Sequence, residues 1–336
     1  MPRLTLRSTL PLLLAIAAIA GCGKSSNEVS NRITNPGGTT DNGAVMDQAA
    51  IAASMADAPE LIEDALAESG AETALGTGLV TDRGTALIRP VTFWRRIERV
   101  ERRFEFAFSD TDSTGKPTTA LVTVHKHLFG TFNILAGPAP ATALAGDPPP
   151  PAPAPRDTNL RVIHKPLADH WVRRVLLKRV APPAGDNLAT LDGRPRWRIA
   201  ATSGVQVTSR GATTEIASLR VQAGPLDTLI TDPLALFRLR RILKFAGGDD
   251  VHLTVTTGRN DDAVLLVLRD LRLRFRNNGD NTYSGVFRAA WLRGVNHFGV
   301  NALSRGTLFD DAAPYDSKAW VLPYVVVPTD LAEFMP

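Results

Sequence analysis

The chain has 336 residues, 44% of them hydrophobic, a formal charge of +4 and one cysteine. That apolar fraction supports a sizeable core and excludes disorder throughout. The single thiol excludes a disulfide framework, a thiolate zinc site and a redox pair.

The N-terminal segment carries Arg3 and Arg7, then the apolar run Leu10 to Ala20, and ends in Ile19-Ala20-Gly21-Cys22. A basic start and a short apolar stretch read as an export signal, since the run is about half of the roughly 20 residues a permanent membrane helix requires. The last four residues resemble the bacterial lipobox, the signature of the lipoprotein class. That resemblance implies removal of residues 1–21, a diacylglyceryl group on the Cys22 sulfur and acylation of the new amine, with palmitate-type chains holding the protein on a membrane. Gly23 stands where, in the lipoprotein class, an Asp would mark retention in the inner membrane, so the resemblance implies the outer membrane. Which leaflet the body faces stays open.

Residues 22–44 are mostly Gly, Ser, Asn and Thr and read as a flexible tether. Over 45–75 the period becomes helical: Met46, Ala49, Ala50, Ala53 and Ala56 recur at spacings of three and four. Asp57 with Glu60 then forms a capping-box-like start around Pro59, and Gly70 stops the second short helix. Charge shifts along the chain, with ten acids against four bases in residues 24–90 and eleven bases against four acids in residues 156–210.

From residue 79 the body reads as mainly β. Phe104, Phe106 and Phe108 alternate with polar or small residues, as do Ala120, Val122 and Val124, and the polar stretch 109–117 joins the two as an antiparallel hairpin. The Pro-rich stretch 137–155 cannot join a sheet interior and is expected as a long loop or linker. Residues 160–180 have an ambiguous period, 197–207 and 213–221 read as strands, and 233–245 as a short basic helix. Within about 250–328, alternating Val251-Leu253-Val255 and Leu271-Leu273-Phe275, with Gly and Asn turns between strands, predict an antiparallel β-sandwich, of which an immunoglobulin-like one is a candidate form. The stretch from Asn296 to Asp316 loosely resembles modules of uncharacterised exported bacterial proteins, a resemblance that implies no activity.

Candidate chemistry is sparse. His125 and His127 share one strand face at a spacing a metal ion can use, but that face is opposite Val122 and Val124 and is expected to meet solvent. Asp110 and Asp112 alternate as in the opening of a calcium loop, yet no acid closes the loop, and a hairpin turn explains them more simply. Further acids stand in loops at Asp249-Asp250, Asp261-Asp262, Asp310-Asp311 and Asp316. No nucleophile elbow, zincin helix or phosphate loop occurs. Clusters around Arg95-Arg96, Arg173-Arg174, Lys178-Arg179 and 238–244 are read as solvated sheet faces, with contact to anionic lipid, lipopolysaccharide or glycan as the rival reading.

The sequence thus predicts an exported lipoprotein of the outer membrane, with a non-enzymatic binding or structural body. Its expected partners are the membrane through the lipid and an envelope protein, lipopolysaccharide or glycan, not nucleic acid. No cofactor is expected beyond weak calcium binding as an outside reading. The rival from another class is a hydrolase or carbohydrate-active enzyme using loop carboxylates.

Overall fold

The computed structural model describes residues 32–34, 42–62, 73–74, 88–138, 159–180, 196–268 and 271–327. Cys22, most of the tether and the Pro-rich stretch beyond 138 lie outside them. Strand β1 (Arg32–Thr34) leads into helices α1 (Asn42–Ala56) and α2 (Pro59–Ile62) and the short strand β2 (Thr73–Ala74). Three long strands follow, β3 (Ile88–Thr111), β4 (Pro117–Pro138) and β5 (Arg161–Arg179), of 24, 22 and 19 residues.

The expected hairpin is the joint between β3 and β4, and it is closed by turn chemistry. Asp112 Oδ1 accepts from the Thr114 amide (2.8 Å), the Thr114 hydroxyl (2.7 Å) and the Lys116 amide (3.0 Å), while Gly115 adopts φ 76°. Farther along, β3 carries a bulge between Ile97 and Arg99. Opposite it, a Cβ on Gly130 would sit 1.9 Å from the Arg96 carbonyl oxygen, so only glycine lets the two backbones pass.

After β6 (Trp197–Ser209), β7 (Ile216–Ala223) and β8 (Leu226–Ile230) form a second hairpin. The basic helix expected over 233–245 does not form. Its place is taken by β9 (Phe237–Arg238), one 3₁₀ turn over Leu239–Arg241 and β10 (Leu243–Ala246). Leu243, Phe245 and Ala246 are buried in β10, which pairs in parallel with a strand far along the chain, so tertiary pairing overrides the local helical spacing.

The C-terminal third runs β11 (Asp250–Thr257), β12 (Ala263–Leu268), β13 (Leu271–Arg274), β14 (Arg276–Asn277), β15 (Thr282–Arg288), β16 (Gly294–Leu303), helix α3 (Arg305–Phe309) and β17 (Ser317–Val327). Ser304 caps α3, accepting from the Thr307 amide.

The fold is mainly β, as expected, and the pairing gives two layers. One sheet has twelve strands along the path β1-β3-β4-β5-β6-β17-β16-β12-β13, with β2, β9 and β10 added at its flanks; the other has five, β14-β15-β11-β7-β8. Leu219, Val221, Leu253 and Val255 of the small sheet pack on Val264, Leu266, Phe298 and Trp320 of the large one. This core makes the sandwich. An immunoglobulin-like domain has seven to nine strands in total; here one layer alone exceeds that number.

The long strands extend beyond the sandwich and are covered differently at their two ends. Near the hairpin tip, Ile51 and Met55 of α1 cover Val122, Val124, Trp171 and Val175. At the other end Phe132, Ile134 and Leu167 meet Leu308 and Phe309 of α3 and Tyr315. Each fully buried side chain of this size contributes about 1.5–3 kcal/mol, which fixes both helices to the sheet.

Between these two apolar clusters the inner face of the sheet carries charge. Lys126, Asp169 and Arg173 alternate in phase with Val124, Trp171 and Val175 and are buried with them. Asp169 Oδ2 lies 3.4 Å from Arg95 Nη1 and accepts from the Tyr315 hydroxyl at 3.3 Å, while Lys126 lies over the Trp171 ring at 4.6 Å. Arg173 donates to the carbonyl of Leu61 at the end of α2. Arg95 and Arg173, expected on solvated faces, are therefore interior groups, the first covered by Asp169 and Tyr315 and the second by the end of α2. Leu273, expected inside, is exposed, and its neighbour Arg272 instead lines a small interior pocket with Arg95.

Candidate functional site

The two sequence-derived metal candidates fare differently. Asp110 and Asp112 stand in the β3–β4 turn, where the bonds to Asp112 given above and a 2.6 Å bond from the Thr118 hydroxyl to the Asp110 carbonyl form the loop. The Thr114 hydroxyl, ahead of the Lys116 amide, holds the Asp112 carboxyl below its usual range. The geometry is that of a side-chain-closed turn.

His125 and His127 lie on the sheet face opposite Val122 and Val124, as the alternation requires. The pairing of β4 with β5 sets His127 directly across from His170, and β3 brings Glu105 alongside. The result is a cluster that sequence spacing did not reveal. His125 Nδ1 and His170 Nε2 are 3.0 Å apart, with ring planes 8° from parallel, while the His127 ring stacks on His170 at 4.6 Å and 6°. Glu105 Oε2 lies 3.4 Å from His125 Nε2. Ring nitrogens present their lone pairs in the ring plane, so three near-parallel rings do not converge on one ion. Among the described residues no group of three or more His, Cys, Asp or Glu is arranged to hold a metal ion. Partial burial, then the neighbouring His127 and His125, pulls His170 down to about 4. The cluster is therefore a linked row of rings in which His170 is neutral at neutral pH.

Among the loop acids, most carboxylates serve the loops that contain them. Asp249 accepts from the Ala246 amide at 2.9 Å, Asp250 pairs with Arg288 at 3.3 Å, Asp310 accepts from the Ala312 amide at 2.9 Å, and Asp311 pairs with Arg161. Asp316 accepts from the Thr213 amide (3.1 Å), the Thr213 hydroxyl (2.6 Å) and the Thr214 amide (3.1 Å), tying β17 to the segment before β7.

Asp262 is the exception. It immediately precedes β12, in one of the loops by which the chain crosses from the small sheet to the large one, and is 2% exposed. Neither carboxylate oxygen has a hydrogen-bond partner among the described residues. The nearby Thr257 hydroxyl, which carries one proton, donates it to the Arg259 carbonyl at 2.5 Å. Burial, then the adjacent Asp261, pushes the Asp262 carboxyl up to about 7 against the smaller opposing pull of Arg259 and Thr257. A buried ionisable group without partners costs stability, and such groups gather where a protein meets a ligand.

Around Asp262 two of the sheet-to-sheet crossings, β11 to β12 and β13 to β14, come together at the same end of the sandwich. Between them opens a cleft of about 520 Å³ lined by Asn260, Asp261, Asp262, Arg274, Asn277 and Asn278. Its walls are braced: the Asn277 carboxamide donates to the Asn260 carbonyl, the Tyr283 hydroxyl to the Arg259 carbonyl at 3.1 Å, and the Phe275 amide to the Val264 carbonyl at 2.9 Å. Phe275 in turn lies over Gly285, where a Cβ would stand 1.9 Å from the ring. This end of the sandwich is the candidate site: a held, polar concavity with a buried carboxyl in its wall.

No protein-family model, no curated protein and no solved structure matches the chain. The fold defines the class as a two-layer, mainly antiparallel β protein with one greatly extended sheet, and a fold of this kind does not by itself fix a function.

Proposed function

We propose that the chain is a lipoprotein of the cell envelope, anchored through Cys22, most consistent with the outer membrane, and that its β-rich body is a binding module rather than an enzyme. The anchor rests on the lipobox-like Ile19-Ala20-Gly21-Cys22 and on Gly23, followed by a polar tether that lets the body stand away from the bilayer. Among the described residues no helix is long and apolar enough to cross a membrane, a statement about helices and not about strands. The observation that carries the binding reading is the Asp262 cleft, a braced concavity whose buried carboxyl lacks the internal partners that satisfy Asp316 and Asp249. Partners of the anchored body are an envelope protein, lipopolysaccharide or glycan.

Growth with radiolabelled palmitate tests the anchor: label enters the wild-type chain and is lost in Cys22→Ser, and label retained by that variant refutes the lipid site. Capture from solubilised envelopes tests the binding reading, with a specific partner expected and its clean absence counting against it.

A second reading has one observation in its favour. The Asp262 carboxyl, at about 7 beside Asp261, is poised as an acid-base pair. A hydrolase built on it turns over a glycosidic or ester substrate and loses turnover in Asp262→Asn; failure of the purified protein to release product from any such substrate removes this reading.

A further inference from the structure

We infer that the end of the body bearing the β3–β4 hairpin and the β15–β16 loop docks on the membrane, with Trp291 and Leu292 entering the interface of an anionic lipid surface. This goes beyond the binding reading and rests on the Cys22 anchor proposed above, for it says which end of the anchored body faces the bilayer.

The tether limits the orientation. Backbone pairing places Arg32 of β1 beside Arg103 of β3. Ten residues lead from Cys22 to Arg32, so the lipid reaches no farther than about 33–36 Å from that point. Arg103 stands eight residues before the hairpin end of β3 and fifteen after its other end, distances of about 26 Å and about 50 Å along the strand. Of the two ends, only the hairpin end is within reach of the anchor.

Strand register carries this level across the sheet. Thr119 pairs with Lys178 and Arg179 with Trp197. β17 runs toward the hairpin end as β6 runs away from it, with Val205 opposite Val321 and, farther along β17, Val326 opposite Gly294 at the start of β16. The loop between β15 and β16 thus stands at the hairpin end, while Asp262, before β12, stands at the other. In that loop Trp291 and Leu292 are 75% and 74% exposed, more than any other large hydrophobic side chain among the described residues. Their exposure is built into the loop. The Gly248 amide donates to the Ala289 carbonyl at 3.2 Å and the Ala289 amide to the Asp249 carbonyl at 2.8 Å. The Trp291 ring lies over Gly248, where a Cβ would stand 2.4 Å from it, so one part of the indole is held and the rest is presented outward.

The chemistry of this end selects a lipid interface. Indole joins a large apolar ring to one N–H donor, the combination that settles where acyl chains meet headgroups. Exposed bases share the end. Arg293 follows Leu292 in the loop, and Arg238, beside Ala201, leads into the 3₁₀ turn that presents Arg240 and Arg241. The acids packed beside the loop, Asp249 and Asp250, are already engaged, by the Ala246 amide and by Arg288. An apolar pair accompanied by guanidinium groups matches acyl chains beneath anionic phosphates. A protein partner would fit the apolar pair as well, but only the bilayer is fixed at this end by the anchor. With this end on the bilayer, the Asp262 cleft opens away from it.

The test is fluorescence quenching of the acylated full-length protein in vesicles of phosphatidylcholine with phosphatidylglycerol, brominated on the acyl chains, against brominated phosphatidylcholine alone. Of the five tryptophans, Trp171, Trp197 and Trp320 are buried and Trp94 is half-buried, so the difference between wild type and Trp291→Phe isolates the Trp291 signal. Quenching of that signal is expected, about twofold or more stronger with phosphatidylglycerol than without. It weakens in Leu292→Asp, which keeps Trp291 and alters a position that is 74% exposed. Arg240→Gln combined with Arg241→Gln removes the dependence on phosphatidylglycerol with every tryptophan in place. A Trp291 signal that the bromines leave unquenched overturns the inference, as does quenching that neither phosphatidylglycerol nor the arginine substitutions alter. Trp291 unquenched in vesicles yet shielded from iodide in intact envelopes marks a protein partner in its place and overturns it too. Palmitate on the chain with Trp291 unquenched removes the docking alone, whereas absence of palmitate removes the anchor and the docking with it.

Discussion

Two buried carboxyls set the two halves of the molecule apart. Asp169, on the inner face of the extended sheet, is pushed upward by burial, but Arg95 and the Tyr315 hydroxyl oppose that push by approaching one of its oxygens. Asp262, at the end of the sandwich, is buried to the same degree and has no hydrogen-bonding partner among the described residues. The first arrangement links β3, β5 and the segment before β17 and is explained by the fold. The second is not explained by the fold. The difference separates a charge that the fold pairs from one that it leaves without a hydrogen bond.

The comparison breaks or sharpens at three substitutions. The largest effect is expected at Asp169→Ala. It leaves the Arg95 guanidinium, with a side chain 10% exposed, buried without its carboxylate; removing one member of such a pair costs about 3–5 kcal/mol, read as a lower urea midpoint. A loss under about 1 kcal/mol places the pair with surface bridges of little worth.

Next comes Asp262→Asn, with the opposite sign. The folded Asp262 carboxyl titrates near 7, above the unfolded value of about 3.9. The folded state therefore holds the proton longer, and the stability linked to that proton is full below about pH 4 and lost as pH rises through about 7. The neutral amide lacks this loss, so the variant is expected to match the wild type near pH 4 and to exceed it by roughly 1–3 kcal/mol near pH 8. Denaturant unfolding at the two pH values reads the difference, and a variant weaker than wild type at both would mean that Asp262 is satisfied internally after all.

The smallest effect belongs to the histidine row, which lies between these extremes. His170 is held at about 4 in the folded protein, below an unfolded value of about 6.5. Its contribution is thus present above about pH 6.5 and lost as pH falls through about 4. Because the ring is only partly buried, His170→Gln is expected to remove about 1 kcal/mol of acid sensitivity over that window. An unchanged acid limb of the stability curve would show that the row does not resist protonation.

Much of this architecture is legible from alternation alone. The hairpin of Phe104, Phe106 and Phe108 against Ala120, Val122 and Val124 forms where period two placed it, as do the strands around Val251 to Val255, and α1 and α2 begin near the spacings and capping residues that predicted them. What alternation cannot supply is the partner. Residues 160–180 read ambiguously because Lys165, Asp169 and Arg173 occupy inward positions, and a local window cannot tell an enclosed charge from a solvated one. Residues 233–245 showed helical spacing, yet β10 pairs with a strand some eighty positions later. His170 and Glu105 join His125 and His127 only through strand register. Asp261-Asp262 was visible as an acidic loop like several others; only the folded chain shows that Asp262 is buried without the hydrogen bonds that Asp249, Asp310 and Asp316 make.

The protonation of Asp262 can be read directly by carbon-13 NMR of the aspartate carboxyls across a pH titration, with Asp262→Asn to assign the signal. A midpoint near 7 is expected. A midpoint near 4, the ordinary range for an aspartate in water, would contradict the claim that this carboxyl is buried without a hydrogen-bond partner.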